Sequence, residues 1–194
     1  NLPLSANLIY LDVYWNSILN ININNYFGLK YFNCSRNQIS NLIVSNLINL
    51  EYFNCGNNSI SNLDISNLIN LKELHCFSNQ LTILNVSNLV DLINLNCNSN
   101  QLSVLNIDNL IQLKELQSEN NILTSINLNN NVQLEYLRLS HNLLNNIDLT
   151  QNTLLHSIFI YGNQLTSIDL SQNLNLEYLY LSWNHGNFLT NLNV

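Results

Sequence analysis

The chain has 194 residues, 46% of them hydrophobic. Only 9% are charged, against roughly 25% in an ordinary soluble domain, so amides and hydroxyls carry most of its polarity. The net charge of −7 comes from 12 acidic and 5 basic residues; the basic ones form no run that could follow a phosphate backbone, which argues against nucleic acid, and no stretch of about 18 apolar residues exists to span a membrane as a helix.

Residues 1 to 7 already follow a 21-residue pattern, since Leu2 falls one period before Ile23 and Asn7 one period before Gly28. The chain thus opens in mid-coil and does not begin with Met. The expectation is a single domain over residues 1–194, a fragment of a longer protein lacking its polar caps.

From residue 8 each unit splits into two halves of the form Leu-x-x-Leu-x-Leu, as in Leu134, Leu137, Leu139 and then Leu144, Ile147, Leu149. Apolar residues two apart are what a short strand with one buried face shows, so two strands per coil predict two parallel sheets. Leu74, Leu95 and Leu116 stand in one inward file, and Leu63, Leu84 and Leu105 in its counterpart. Asn, Ser and β-branched residues crowd both halves, which disfavours helix.

An asparagine returns at Asn16, Asn37, Asn58, Asn79, Asn100, Asn121, Asn142, Asn163 and Asn184, each 21 residues from the last. Its side chain has two donors and an acceptor for the backbone groups of a tight inward corner. The spacing therefore predicts a structural ladder. A fixed period of this size marks a solenoid, whose coils bury their apolar faces only by stacking.

The return corner comes in two forms. Early coils close with Ser45-Asn46-Leu47 and its equivalents, later ones with Asn130-Asn131, Gln151-Asn152 and Gln172-Asn173, which predicts a local change of packing without a domain boundary. At the far end His185-Gly186-Asn187 displaces the frame, so that Leu189, Leu192 and Val194 arrive three residues late.

Cys34, Cys55, Cys76 and Cys97 recur at the same period, in the column that elsewhere holds Val13, Leu139, Ile160 and Leu181. A column shared with Leu and Ile is an inward site where Cys acts as a small hydrophobe. Parallel neighbours point the same way, which suits a disulfide poorly, and zinc needs ligands that converge on a point. Buried free thiols are expected, with no metal site.

Leu113-Lys114-Glu115-Leu116, Leu165-Thr166-Ser167-Ile168-Asp169-Leu170-Ser171-Gln172-Asn173 and the Leu-x-Cys-x-x-Asn segments resemble bacterial leucine-rich repeat proteins with short 21-residue repeats. The resemblance covers nearly the whole chain. It implies a right-handed, mainly β solenoid of about nine coils with little or no helix. It also implies adhesion or protein interaction in a secreted or cell-surface setting, with no catalytic motif to carry over.

The chemistry-bearing residues are dispersed. No carboxylate pair suggests acid/base work, His75, His141, His156 and His185 occupy different columns, and four glycines make no phosphate loop. We expect no enzyme activity and no cofactor. The outward columns of the first sheet, by contrast, concentrate aromatics, most densely at Tyr136, Arg138, Phe159, Tyr161, Tyr178, Tyr180 and Trp183. Exposed aromatic rows are over-represented at recognition sites. These seven residues are the candidate binding set, with a protein or a surface glycan as partner; the alternatives are a passive spacer, rings that merely stack between strands, and packing against adjoining repeats or domains.

Overall fold

The computed structural model describes residues 7–182 and 187–194. Among them there is no helix, and none that is long and apolar enough to cross a membrane. Each coil contributes one three-residue strand to a nine-stranded parallel sheet. In chain order these are β1 Tyr10–Asp12, β2 Tyr31–Asn33, β3 Tyr52–Asn54, β4 Glu73–His75, β5 Asn94–Asn96, β6 Glu115–Gln117, β7 Tyr136–Arg138, β8 Ser157–Phe159 and, after one further strand, β10 Tyr178–Tyr180. That intervening strand is β9, Ser167–Asp169, which pairs in parallel with β11, Asn191–Asn193, to form a second sheet.

Register in the large sheet is the sequence period itself. Tyr10 lies against Tyr31, Leu74 against Leu95 and Tyr178 against Ser157, all 21 residues apart. One residue per strand points inward, and from Phe32 to Ile158 that file has no solvent exposure. Phe32 and Phe53 stack within it at 5.6 Å. The expected cysteine file follows directly behind: Cys34, Cys55, Cys76 and Cys97 are free and fully buried, and Ser118 continues the file, also fully buried.

The two flanks are held differently. On the first, hydrogen bonds continue past the strand, as in Cys55 N to His75 O at 2.8 Å and Asn57 N to Phe77 O at 2.8 Å. On the second, coils are joined by main-chain bonds such as Gln80 N to Ile60 O at 2.9 Å, and shallow crevices open between successive coils, one of them lined by Asn20, Ile21, Asn22, Asn24, Asn41 and Ile43. Strand pairing in that flank is confined to β9 and β11 among the described residues. Its inward Leu and Ile side chains still bury, so packing rather than a main-chain ladder holds it.

The asparagine ladder forms as expected. Asn100 Nδ2 donates to Cys76 O of the preceding coil and to Cys97 O of its own, both at 3.1 Å, while its Oδ1 accepts from Leu81 N at 3.0 Å. Asn184 lies outside the described residues. The corresponding bonds are made three residues later by Asn187, whose Oδ1 accepts from Leu165 N at 3.1 Å and whose Nδ2 donates to Ile160 O at 2.9 Å.

At the return corner, the change of residue creates a second, shorter ladder. Leu47, Leu68, Leu89 and Leu110 are buried, and so are Asn131, Asn152 and Asn173, which replace them. Asn152 Nδ2 donates to Leu128 O at 3.0 Å and to Asn131 O at 2.9 Å, with equivalent bonds from Asn131 and Asn173. The amide thus substitutes main-chain hydrogen bonds for the apolar contact of leucine.

Candidate interaction face

The outward side of the large sheet carries three files, set by alternation along each strand and by the in-register stacking of strands. Its two ends are aromatic and its middle is polar. At the N-terminal end Tyr10, Tyr31 and Tyr52 stack with ring centroids 4.1 and 4.3 Å apart and planes within 9° of parallel. Burial first, and then the hydrogen bond with Tyr10, push the Tyr31 phenol above its ordinary value. Beside this stack the Arg36 guanidinium lies 5.9 Å from the Tyr14 ring centre and 5.1 Å from that of Trp15, a cation–π arrangement.

Trp15 and Arg36 stand one period apart at the corner after the strand, and this corner has a property the apolar pattern does not reveal. Trp15, Arg36, Asn57, Ser78, Ser99, Asn120 and His141 all have φ between 51° and 56°, and Gly162 has φ 69°. Their N–H groups bond carbonyls of the next coil, as in Arg36 N to Gly56 O at 2.9 Å and Ser99 N to Glu119 O at 2.8 Å. Of these residue types only glycine adopts the left-handed conformation without cost, and asparagine with little.

In the middle of the face Glu73, His75, Asn96, Asn98, Glu115, Gln117 and Glu119 knit together. Gln117 Oε1 accepts from Asn96 Nδ2 at 3.2 Å and from Asn98 Nδ2 at 3.3 Å, and Gln117 Nε2 donates to Glu115. His75 Nε2 lies 3.7 Å from Glu73 Oε2. Three carboxylates with a single imidazole make this band acidic.

The C-terminal end holds the residues expected from the sequence. Arg138, Phe159 and Tyr180 form a continuous stack: the guanidinium lies 4.6 Å from the Phe159 ring centre, and that ring lies 4.4 Å from Tyr180 at 10°. Tyr136, Tyr178 and Tyr180 are 45%, 54% and 48% exposed. Tyr136 tilts against His156 at 6.3 Å, and Tyr161 meets His141 edge-on at 5.1 Å. The structure therefore gathers six of the seven expected residues on one end of one face; Trp183 lies outside the described residues. Arg36 was not among the expected residues. The signal that could have found it is its position one period after Trp15.

No family model matches the chain, and no curated protein does. Solved structures do. The functional domain of InlJ from Listeria monocytogenes, which includes a cysteine ladder, is 30% identical over 97% of this chain and 44% of its own, with a TM-score of 0.88. A leucine-rich repeat protein of Leptospira interrogans is 26% identical over 97% of this chain and 55% of its own, with a TM-score of 0.86. The internalin InlF from Listeria monocytogenes is 25% identical over 89% of this chain and 56% of its own, with a TM-score of 0.77. The chain spans about half the length of each of these.

Proposed function

We propose, from the premise that this chain is a leucine-rich repeat protein similar to the bacterial internalins, that it is a rigid protein-interaction module acting outside the bacterial cell, in adhesion. Domains of this kind are typically interaction modules rather than enzymes. In this reading the partner docks on the first-sheet face, with Tyr136, Arg138, Phe159, Tyr161, Tyr178, Tyr180 and Trp183 as anchors. The observation that carries it is the exposed Arg138–Phe159–Tyr180 stack. Its pre-ordered rings lose little side-chain freedom on binding, which is the property of interface hot spots.

Ring orientation favours a protein over a glycan. A sugar packs against the flat face of a ring, and here Arg138 lies over Phe159 while Tyr180 stacks parallel to it. The Phe159 ring is thereby covered on both faces and offers its edge, flanked by a guanidinium and a phenol, which suits polypeptide. A passive spacer would leave such a face without purpose.

The test is capture of biotinylated extracellular proteins on the immobilised chain, with and without excess free glycans. Retention of a protein binder under glycan competition, and its loss with Phe159→Ala/Tyr180→Ala, is the expected result. Loss under glycan competition would turn the assignment to carbohydrate, and capture unchanged by the double variant would remove the face from it.

A further inference from the structure

A second exposed apolar feature runs along a different edge of the rod. In the return corner Phe27, Ile48, Ile69, Val90, Ile111 and Val132 recur at the repeat period, each between 42% and 54% exposed. After Thr153 the file resumes at Leu174, which is 88% exposed. The turn backbone is closed by Asn49 Nδ2 to Phe27 O at 2.8 Å and Asn70 Nδ2 to Ile48 O at 2.9 Å, so the ridge sits on a rigid base. At on the order of 100 Å² exposed per side chain it offers about 700 Å² of apolar surface, close to the ~800 Å² per partner of a standard interface. A continuous apolar patch above about 400 Å² on a soluble surface marks an interaction site.

Three residues further along each coil stands a charged file. Lys30, Glu51 and Lys72 are joined by two 2.8 Å ion pairs, and Lys114 pairs with Glu135 at 2.8 Å. The column between this file and the ridge, at Asn49, Asn70 and Asp91, lines one shallow pocket together with Lys30, Glu51 and Lys72. The ridge and the charges therefore border a shared surface.

Reversing the order of the charged file sets opposite charges on each other at two of its four pairings, a carboxylate on an imidazole at the third, and Ile93 on Lys114 at the fourth. Turned end for end about a point between the Ile93 and Lys114 coils, Lys30 meets Glu177, Glu51 meets His156 and Lys72 meets Glu135. The same operation sets Phe27 on Leu174, Ile69 on Val132 and Val90 on Ile111. We propose that the ridge is the interface of an antiparallel dimer in which the occupant is a second copy of this chain. Such an isologous contact is closed and self-limiting.

Sedimentation velocity across a concentration series tests this. The chain is expected to shift from its 22.3 kDa monomer mass to twice that value. Ile69→Asp with Ile111→Asp is expected to weaken the dimer at least about 30-fold without altering the circular dichroism spectrum or melting temperature. Lys30→Glu is expected to weaken it, and Lys30→Glu combined with Glu177→Lys to restore it. The two positions are seven coils apart in one chain, so rescue arises only between copies laid antiparallel. A monomer at every concentration up to the solubility limit, a dimer indifferent to the two aspartates, or failure of the charge swap to rescue would each overturn the proposal.

Discussion

The backbone N–H of Leu81 donates to Oδ1 of Asn100, 19 residues later and one coil further on, at 3.0 Å. The same side chain donates to Cys76 O in the preceding coil and to Cys97 O in its own, so one buried amide ties two coils through the main chain. Asn100→Ala removes these bonds and leaves buried backbone groups unpaired. It is expected to cost about 1–3 kcal/mol, read as a lower urea midpoint. Asn16→Ala, at an exposed position where the side chain bonds Val13 O and Tyr14 O among the described residues, is expected to cost less than half as much.

The left-handed corner gives a second expectation with opposite signs at two positions. Gly162 has φ 69°, and a Cβ there would lie 2.7 Å from His141 Nδ1, so Gly162→Ala is expected to destabilise by about 1–2 kcal/mol. Ser99, exposed with φ 55°, already bears that backbone cost. Ser99→Gly is expected to be neutral or to stabilise by up to about 1 kcal/mol. Thermal midpoints of the two variants check both.

Acid sensitivity follows from the carboxylates. Hydrogen bonds from Lys30 and then Lys72, reinforced by their charges, hold the Glu51 carboxyl down at about 2 from an ordinary 4.5. Asp64, Asp148 and Asp169 are also held below the usual range, by bonds from Ser66, Thr150 and Ser171. A group lowered in the folded state contributes stability above its unfolded value and loses that contribution as pH falls toward the folded one. The melting temperature is therefore expected to be flat between about pH 5 and pH 8 and to fall below pH 5. For Glu51→Gln the deficit relative to the parent is expected to shrink as pH drops from 4.5 toward 2, measured by calorimetry.

The cysteine file is expected to be chemically silent in the folded protein. Burial pushes the Cys34 thiol up to about 12 and the Cys97 thiol up to about 11, and raises Cys55 and Cys76 well above the ordinary value. Since the thiolate is the reacting species, modification by a thiol reagent at pH 8 is expected to follow global unfolding, with four equivalents appearing together in denaturant. Rapid labelling of one thiol under native conditions would place it at the surface.

Much of this architecture is legible in the sequence because stacking converts a period into files. The inward columns, the Asn79 and Asn100 rungs and the cysteine file all follow from identity of position. What is not legible depends on spacing and backbone sign. Nothing in Trp15, Arg36, Ser78 or His141 as residue types announces the positive φ they share. That Asn187, three residues off the period, makes the ladder bonds at the far end is not encoded in the period. The sparse pairing of the second flank is not encoded by in-and-out alternation. The ridge from Phe27 to Val132 was present as a column of Ile and Val beside the buried Leu47, Leu68 and Leu89, hidden by their shared apolar character.

The most direct test of the interaction face is the affinity of the captured protein partner for three chains: the parent, Phe159→Ala/Tyr180→Ala, and Ser167→Ala on the opposite flank. The account predicts a loss of at least about 30-fold for the double variant and no change for Ser167→Ala, with all three equally stable. Equal affinity for all three would contradict it.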